Sequence, residues 1–359
     1  MIPKSLDLLG VYNGKGTTRE AAILSAVMEA VERQAGAEVE LPTAPMRVRD
    51  VLEFVDLRAA GIREEALDSI TPCVAATELL SGQVVPMPLA MVQCPWYGEK
   101  LFASTTSNGL ASGNNVIEAI YHALSELIER HVWSLFAIRS QLVPKFFLGE
   151  NAPDAASARE VLIPTGLDSI DALIEQVHAS GMSLRILALE EPPLPVVAIA
   201  GITEARVAQP IAHSGLGCSP SARHAIARAI TEAVQSRVTD IQAAREDIKR
   251  PDDLPDAFGE HTRRQTRLPK GRWYFDLPAP TVAVAELPEQ LSEDLAADVR
   301  SIVTSLCTYG IERMYVVQIP AIEGVSVVRA IVPQLERTTV DGTIGSYGRR
   351  EFNPFFIRS

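Results

Sequence analysis

Cysteine is scarce in this 359-residue chain: Cys73, Cys94, Cys218 and Cys307 are scattered, with no CxxC pair among them. That excludes a disulfide-stapled fold and the usual zinc ribbons, and it fits a reducing compartment. Buried free thiols are the expectation, with Cys218, beside a glycine at an expected helix start, the one thiol whose pKa a helix N-terminus could lower. No apolar run reaches membrane-spanning length, and the start MIPKSLDLLG lacks the regions of a signal peptide. The chain is therefore expected in the cytoplasm with no membrane contact. Basic residues are also in deficit, 33 against 45 acidic ones. Without clustered Lys and Arg, broad contact with nucleic-acid phosphates is excluded. The 47% apolar share excludes general disorder, and the length suits one large domain with lobes or two smaller ones.

Helical periodicity predicts helices over about 18–33, 116–136, 168–178, 222–245 and 291–308. Thr17 or Thr18 stands where the first would be capped, and Ser219-Pro220 opens the fourth. Strands are predicted at SLRILALE, PVVAIAGIT, RMYVVQIP and VSVVRAIVP, with short β-type runs such as VVPMPLAMV between 38 and 110. Residues 149–167 read as a surface connection carrying one short helix. Residues 249–281, polar and Pro-rich, read as a mobile loop and a candidate peptide lid. The mixture defines an α/β (mixed α+β) fold.

Three of the helices repeat one design. AILSAVMEAVER (22–33), AIYHALSELIER (119–130) and AIARAITEAVQSR (225–237) each follow a glycine-containing segment, NGKGTT, SNGLASGNN or GLGCSPS, which reads as a turn. Each carries a narrow polar stripe at helical spacing: Ser25, Glu29 and Glu32; Glu118, His122, Glu126 and Glu129; Arg228, Glu232 and Gln235. Each segment also ends on an arginine, Arg33, Arg130 or Arg237. Taken alone, E-x-x-E-R is the pattern of a solvated helix face, and an arginine at a helix end complements the dipole. A thin polar line through apolar helices, three times over, instead predicts three walls of one interior cleft.

Six carboxylates in that cleft would repel one another unless a cation neutralised them, and hard oxygen donors in that number suit Mg²⁺ and the phosphates of a nucleotide. The arginines, Asn114 and Gln235 supply groups for phosphate oxygens or a base edge. GVYNGKG at 10–16 is one residue short of a Walker loop and lacks its Ser or Thr, although Lys15 remains able to approach a phosphate. There is no HxxxH, HExxH or GxSxG. Trp96-Tyr97 and Trp273-Tyr274 read as core.

SNGLASGNNVIEAIYHALSELIER (107–130), together with KGTTREAAILSAVMEAVER (15–33), ARAITEAVQSR (227–237) and RAIVPQLE (329–336), resembles the YcaO-domain family over nearly the whole chain. The resemblance implies a single domain over 1–359, with sub-lobes near 1–148 and 149–359, and a mixed fold around an ATP and Mg²⁺ cleft. It implies ATP-dependent phosphorylation of a peptide backbone amide oxygen, followed by nucleophilic attack that yields an azoline, thioamide or amidine. Carried over by motif, Glu29, Glu32, Glu118, Glu126, Glu129 and Glu232 look like the metal ligands. Lys15, Ser25, Asn114, Arg130, Arg228 and Gln235 look like nucleotide contacts, and Glu126, Glu129 and Arg130 like the catalytic set.

Two departures shape the expectation. The family carries a longer segment ahead of NGKG, which implies a truncated start or a less complete nucleotide pocket here. Azoline-forming members end in PxPxP, whereas this chain ends REFNPFFIRS. The resemblance then leans toward the thioamide-forming type, with a peptide or protein substrate and a TfuA-like sulfur-delivery partner, over cyclodehydration with an E1-like leader binder. A homodimer would accord with the family. From another class, a catalytically idle scaffold that binds a partner or leader peptide answers the same pattern. A hydrolase working with two opposed carboxylates does not, because three helices contribute.

Overall fold

A computed structural model describes residues 11–57, 62, 64–99, 101–102, 106–142, 158–204, 212–242, 273–275, 277–341 and 345–349. Eleven strands are described: β1 (Ala44–Arg47), β2 (Ile70–Glu78), β3 (Val84–Pro88), β4 (Leu110–Gly113), β5 (Ala158–Val161), β6 (Met182–Leu189), β7 (Val196–Glu204), β8 (His213–Ser219), β9 (Thr281–Val282), β10 (Tyr315–Ile319) and β11 (Ser326–Ile331). The long helices are α1 (Arg19–Ala37), α2 (Val116–Ala137), α3 (Asp168–Ala179), α4 (Ala222–Gln242) and α5 (Leu295–Tyr309). Single helical turns stand at 48–51 and 338–341.

The strands form two sheets. The first runs β1-β2-β10-β11-β4, with β3 also on β2, and is antiparallel throughout. The second runs β8-β7-β6-β5-β9, with only the β5–β9 pair parallel. The chain enters the second sheet at Ala158 and returns to the first at Tyr315. Helix α2 joins the two: Ala123, Leu124 and Ile128 share a core with Val316 and Val328 of the first sheet and with Leu187, Val197 and Ile199 of the second. Burying apolar area on both sides fixes its rotation.

Local chemistry sets each site-bearing helix. The Thr18 side chain caps α1 by accepting from Ala21 N–H, and Asn115 caps α2 by accepting from Glu118 N–H. Helix α4 begins beyond Pro220, and Ser221 Oγ accepts from His224 N–H at 3.3 Å. Its stripe of Ala225, Ala229 and Ala233 is fully buried. Opposite lie Gly215 and Gly217 of β8, where an added Cβ would stand 2.2 Å from Ala233 N and 2.1 Å from Ala225 O. Only glycine lets α4 settle this close to the strand.

Several expectations change here. The glycine segments before α2 and α4 contain strand, since LASG is β4 and HSGLGCS is β8. Cys218 accordingly sits in a strand, fully buried, and burial pushes its thiol well above the usual range, so it is no helix-terminus thiolate. Helices α1, α2 and α4 run past Arg33, Arg130 and Arg237, so none of these arginines neutralises a helix end. Within the expected connection at 149–167, residues 158–161 are a strand; 149–157 lie outside the described residues. Most of the expected lid also lies outside them, through residue 272, but its far end is core: Tyr274 is fully buried and Thr281–Val282 joins the second sheet.

Candidate active-site cleft

Between α1, α2 and α4 lies an open cleft of about 710 Å³, and all twelve candidate residues line it: Lys15, Ser25, Glu29, Glu32, Asn114, Glu118, Glu126, Glu129, Arg130, Arg228, Glu232 and Gln235. His122 lines it too. Sequence reasoning missed Ser112, Ser214, Ser236, Thr239 and Asp240 on its walls. Thr239 continues the α4 stripe of Arg228, Glu232 and Gln235 by one more turn, so extending the same spacing would have found it. Ser112 had no such signal, because β4 is too short to show a period.

Two edge strands carry the walls. Helices α1 and α2 lean on β4, the edge of the first sheet, and α4 on β8, the edge of the second. The NGKG segment bridges α1 and α4. Lys15 N–H donates to Ser25 Oγ at 3.2 Å, and Lys15 Nζ donates to Glu232 Oε2. The Gln235 amide donates to Asn13 O, and Asn13 Nδ2 to Thr239 Oγ1 at 3.1 Å. Ser25 and Gln235 therefore hold this segment in place.

Each carboxylate has its own partner. Glu29 lies 3.7 Å from Arg33, and Glu129 lies 3.6 Å from Arg130. Glu32 Oε2 accepts from Ser112 N–H at 3.2 Å, and Glu126 Oε2 accepts from Gly109 N–H at 3.1 Å. Glu118 accepts from Asn114 N–H at 3.0 Å and from Asn114 Nδ2 at 2.9 Å. Among the described residues, no group of three His, Cys, Asp or Glu is drawn together as a metal site. The acids are instead spaced along the walls, where local donors hold them apart.

Electrostatics nonetheless favour a cation. The lining carries Glu29, Glu32, Glu118, Glu126, Glu129, Glu232 and Asp240 against Lys15, Arg130 and Arg228. Burial, with Glu126 adding to it, pushes Glu32 up to about 8. Burial also raises Glu129, against the pull of Arg130. Glu232 goes the other way: burial works to raise it, but Lys15 and then Arg130 outweigh that, and it ends below the usual carboxylate range. His122 is pushed down to about 4 by burial and by Arg228, and so stays neutral. Arg228 Nε is buried with no hydrogen-bond partner. Oxygen donors in surplus and a cation with an unspent N–H fit a divalent metal and a phosphate group.

Comparison with known proteins agrees with the architecture. The family model described as YcaO cyclodehydratase, ATP- and Mg²⁺-binding, matches residues 13–336. The chain is 33% identical over 342 residues to an uncharacterized protein of Methanothermobacter thermautotrophicus, covering 93% of this chain and 83% of that one. It is 31% identical over 371 residues to an uncharacterized protein in the tfuA 3′ region of Rhizobium leguminosarum bv. trifolii, covering 96% and 81%. Among solved structures, the YcaO from Methanopyrus kandleri bound with AMPPCP and Mg²⁺ superposes with a TM-score of 0.65 at 23% identity, over 93% of this chain and 81% of that one. A heterocyclase in complex with substrate and cofactor gives a TM-score of 0.71 at 19% identity; the match covers 92% of this chain but only 45% of that longer one. The chain belongs to the YcaO family, which is ATP- and Mg²⁺-binding. No helix among the described residues is long and apolar enough to cross a membrane.

Proposed function

We propose that this protein uses ATP and Mg²⁺ to phosphorylate a backbone amide oxygen of a peptide or protein substrate, and that sulfide-level sulfur then attacks the activated carbon and expels that oxygen as phosphate to give a thioamide. The observation that carries the reading is the single cleft in which six carboxylates from three helices face Lys15, Arg130 and Arg228. Glu29, Glu32, Glu118, Glu126, Glu129 and Glu232 would hold Mg²⁺, which supplies charge neutralisation for phosphoryl transfer when bound. Arg130 and Arg228 stabilise negative charge that develops on phosphate oxygens. Lys15 and Gln235 hold the NGKG segment across α1 and α4, and so keep the two walls in register.

The thioamide outcome, with a TfuA-like protein as sulfur-delivery partner, is supported by the relative in the tfuA 3′ region. Cyclodehydration to an azoline is the second reading. The cyclodehydratase wording of the family and the likeness of fold to the E. coli microcin synthetase McbBCD complex with pro-MccB17 bound favour it (TM-score 0.59, 17% identity, 88% of this chain and 79% of that one).

Two measurements test this. Calorimetry with AMPPCP should show binding that needs Mg²⁺ and collapses in Glu126→Gln; no binding in the wild type would leave the idle scaffold standing. Mass spectrometry should then compare peptides from cells with and without an intact gene. Exchange of one oxygen for sulfur supports thioamidation, whereas loss of one water supports the azoline.

A further inference from the structure

Three of the cleft carboxylates share a support that no motif names. Glu126, Glu32 and Glu118 each spend one oxygen, Oε2 in every case, on a backbone N–H of one short stretch: Gly109, Ser112 and Asn114 respectively. This stretch is β4 and its two flanks. Strand β4 is the edge of its sheet and pairs on one side only, with β11 through Ser326↔Gly113 to Arg329↔Leu110. An edge strand must cover its outward N–H groups. Here carboxylates of α1 and α2 do so, on the outward side of residues 112 and 114, two apart as the strand period requires.

The stretch is itself firmly placed. Gly109 has φ +84 and accepts from Ala330 N–H at 2.7 Å. An added Cβ there would lie 2.5 Å from Ala330 O and 3.1 Å from a Leu127 methyl. Residue 109 is therefore pinned between β11 and α2, with its N–H turned toward Glu126.

We propose that residues 109–114 act as a positioning rack: their backbone N–H groups at 109, 112 and 114 fix one oxygen of Glu126, Glu32 and Glu118 and leave the other oxygen of Glu126 and Glu32 for Mg²⁺, while that of Glu118 also accepts from Asn114 Nδ2 at 3.3 Å. The inference rests on the Mg²⁺ role given to these acids above. Partners that orient a metal ligand are worth about 10–100-fold in metal affinity or activity. Because the donors belong to the backbone, ordinary side-chain changes leave the rack intact, and proline is the informative substitution. Proline suits an edge strand where the lost N–H is outside the ladder.

The test compares Ser112→Pro, which removes the N–H, with Ser112→Ala, which removes only the hydroxyl at 3.4 Å from Glu32. Mg²⁺ is titrated in the presence of AMPPCP by calorimetry. Ser112→Pro should need roughly tenfold more Mg²⁺ than Ser112→Ala for half-saturation, with both variants melting cooperatively. Equal Mg²⁺ requirements for these two, alongside a raised requirement in Glu32→Gln, would overturn the rack and leave the metal assignment intact. No change in Glu32→Gln either would overturn both. Should Ser112→Pro fail to fold, hydrogen exchange decides without it. Glu32→Ala should speed exchange of the Ser112 amide roughly tenfold or more and spare Asn114, while Glu118→Ala does the reverse. Exchange at both amides that ignores both substitutions would refute the proposal.

Discussion

Lys15 donates to Glu232 across 217 residues of sequence, fastening the glycine-rich segment ahead of α1 to the middle of α4. Both side chains are about four-fifths buried, at 19% and 23% exposure. The pair therefore does more than a surface ion pair would. A cycle of Lys15→Met, Glu232→Gln and the double variant should show a coupling of roughly 1.5–3 kcal/mol in urea unfolding at neutral pH. The Glu232 pKa is lowered in the fold, so this contribution is present above its unfolded value and lost as pH falls through the folded one. The same cycle repeated well below pH 4 should return a coupling near zero. A coupling that persists in acid would mean that packing, and not charge, holds the segment.

Glu32 has the opposite sign. Burial holds its folded pKa at about 8, well above the ordinary carboxylate value of 4.5, so the folded protein holds a proton there that the unfolded chain has released. Stability in the absence of Mg²⁺ should therefore fall as pH rises through this window. Glu32→Gln should abolish that part of the slope and stabilise the metal-free protein at pH 8 and above by on the order of 1 kcal/mol or more. Below the unfolded pKa the substitution should have little effect. Thermal melts with EDTA across pH 5–9 check this, and parallel slopes in wild type and variant would refute it.

The polar stripes were legible because helix α1, α2 and α4 geometry is written in a 3.6-residue period that needs no tertiary information. Ser25, Glu29 and Glu32, for example, share a face whatever packs against it. What the period could not show is where each acid ends up. Glu232 is claimed by a lysine 217 residues away, and Glu32 by the backbone of a strand 80 residues on. Strand β8 was misread as a turn because HSGLGCS is built of small residues, without the branched alternation that marks a strand. Its glycines are there to admit α4, a requirement visible only once the helix is seated. Strands β5 and β9 went unread for another reason: at four and two residues they are too short to carry a pattern.

Thiol chemistry follows from the same placement. Cys307 is exposed, Cys94 is half-buried, and Cys73 and Cys218 are buried. Burial pushes Cys73 up to about 11 and Cys218 well above the usual thiol range. Both are held as protonated thiols at neutral pH and shielded from reagent. With a soluble disulfide reagent at pH 8, Cys307 should react fastest among these four, Cys94 more slowly, and Cys73 and Cys218 only on unfolding. Loss of fast labelling in Cys307→Ser confirms the first assignment. Prompt labelling of Cys218 in native protein would restore the helix-terminus reading that its strand position removes.

The RAIVPQLE segment contributes by architecture. Its last residue, Glu336, is 1% exposed, and its carboxylate accepts from Gly345 and Gly348 N–H at 2.9 and 2.7 Å, from Arg337 N–H at 3.1 Å and from the Thr338 hydroxyl at 2.7 Å. Its own N–H donates to His131 Nδ1 at 2.8 Å, which leaves the other ring nitrogen of that histidine to carry the proton toward Tyr309 OH at 3.2 Å. Burial pushes His131 down to about 3, consistent with a neutral ring in this role. Since His131 follows Glu129 and Arg130 directly, the chain from Glu336 to Tyr309 braces the back of α2 just behind the cleft. Glu336→Gln would set an NH₂ donor among four donors and leave buried N–H groups unpaired, at about 1–3 kcal/mol. Urea unfolding should show that loss, while Mg²⁺-dependent AMPPCP binding by the folded fraction stays within about twofold of wild type. Loss of nucleotide binding at undiminished stability would instead place Glu336 among the ligands of the cleft.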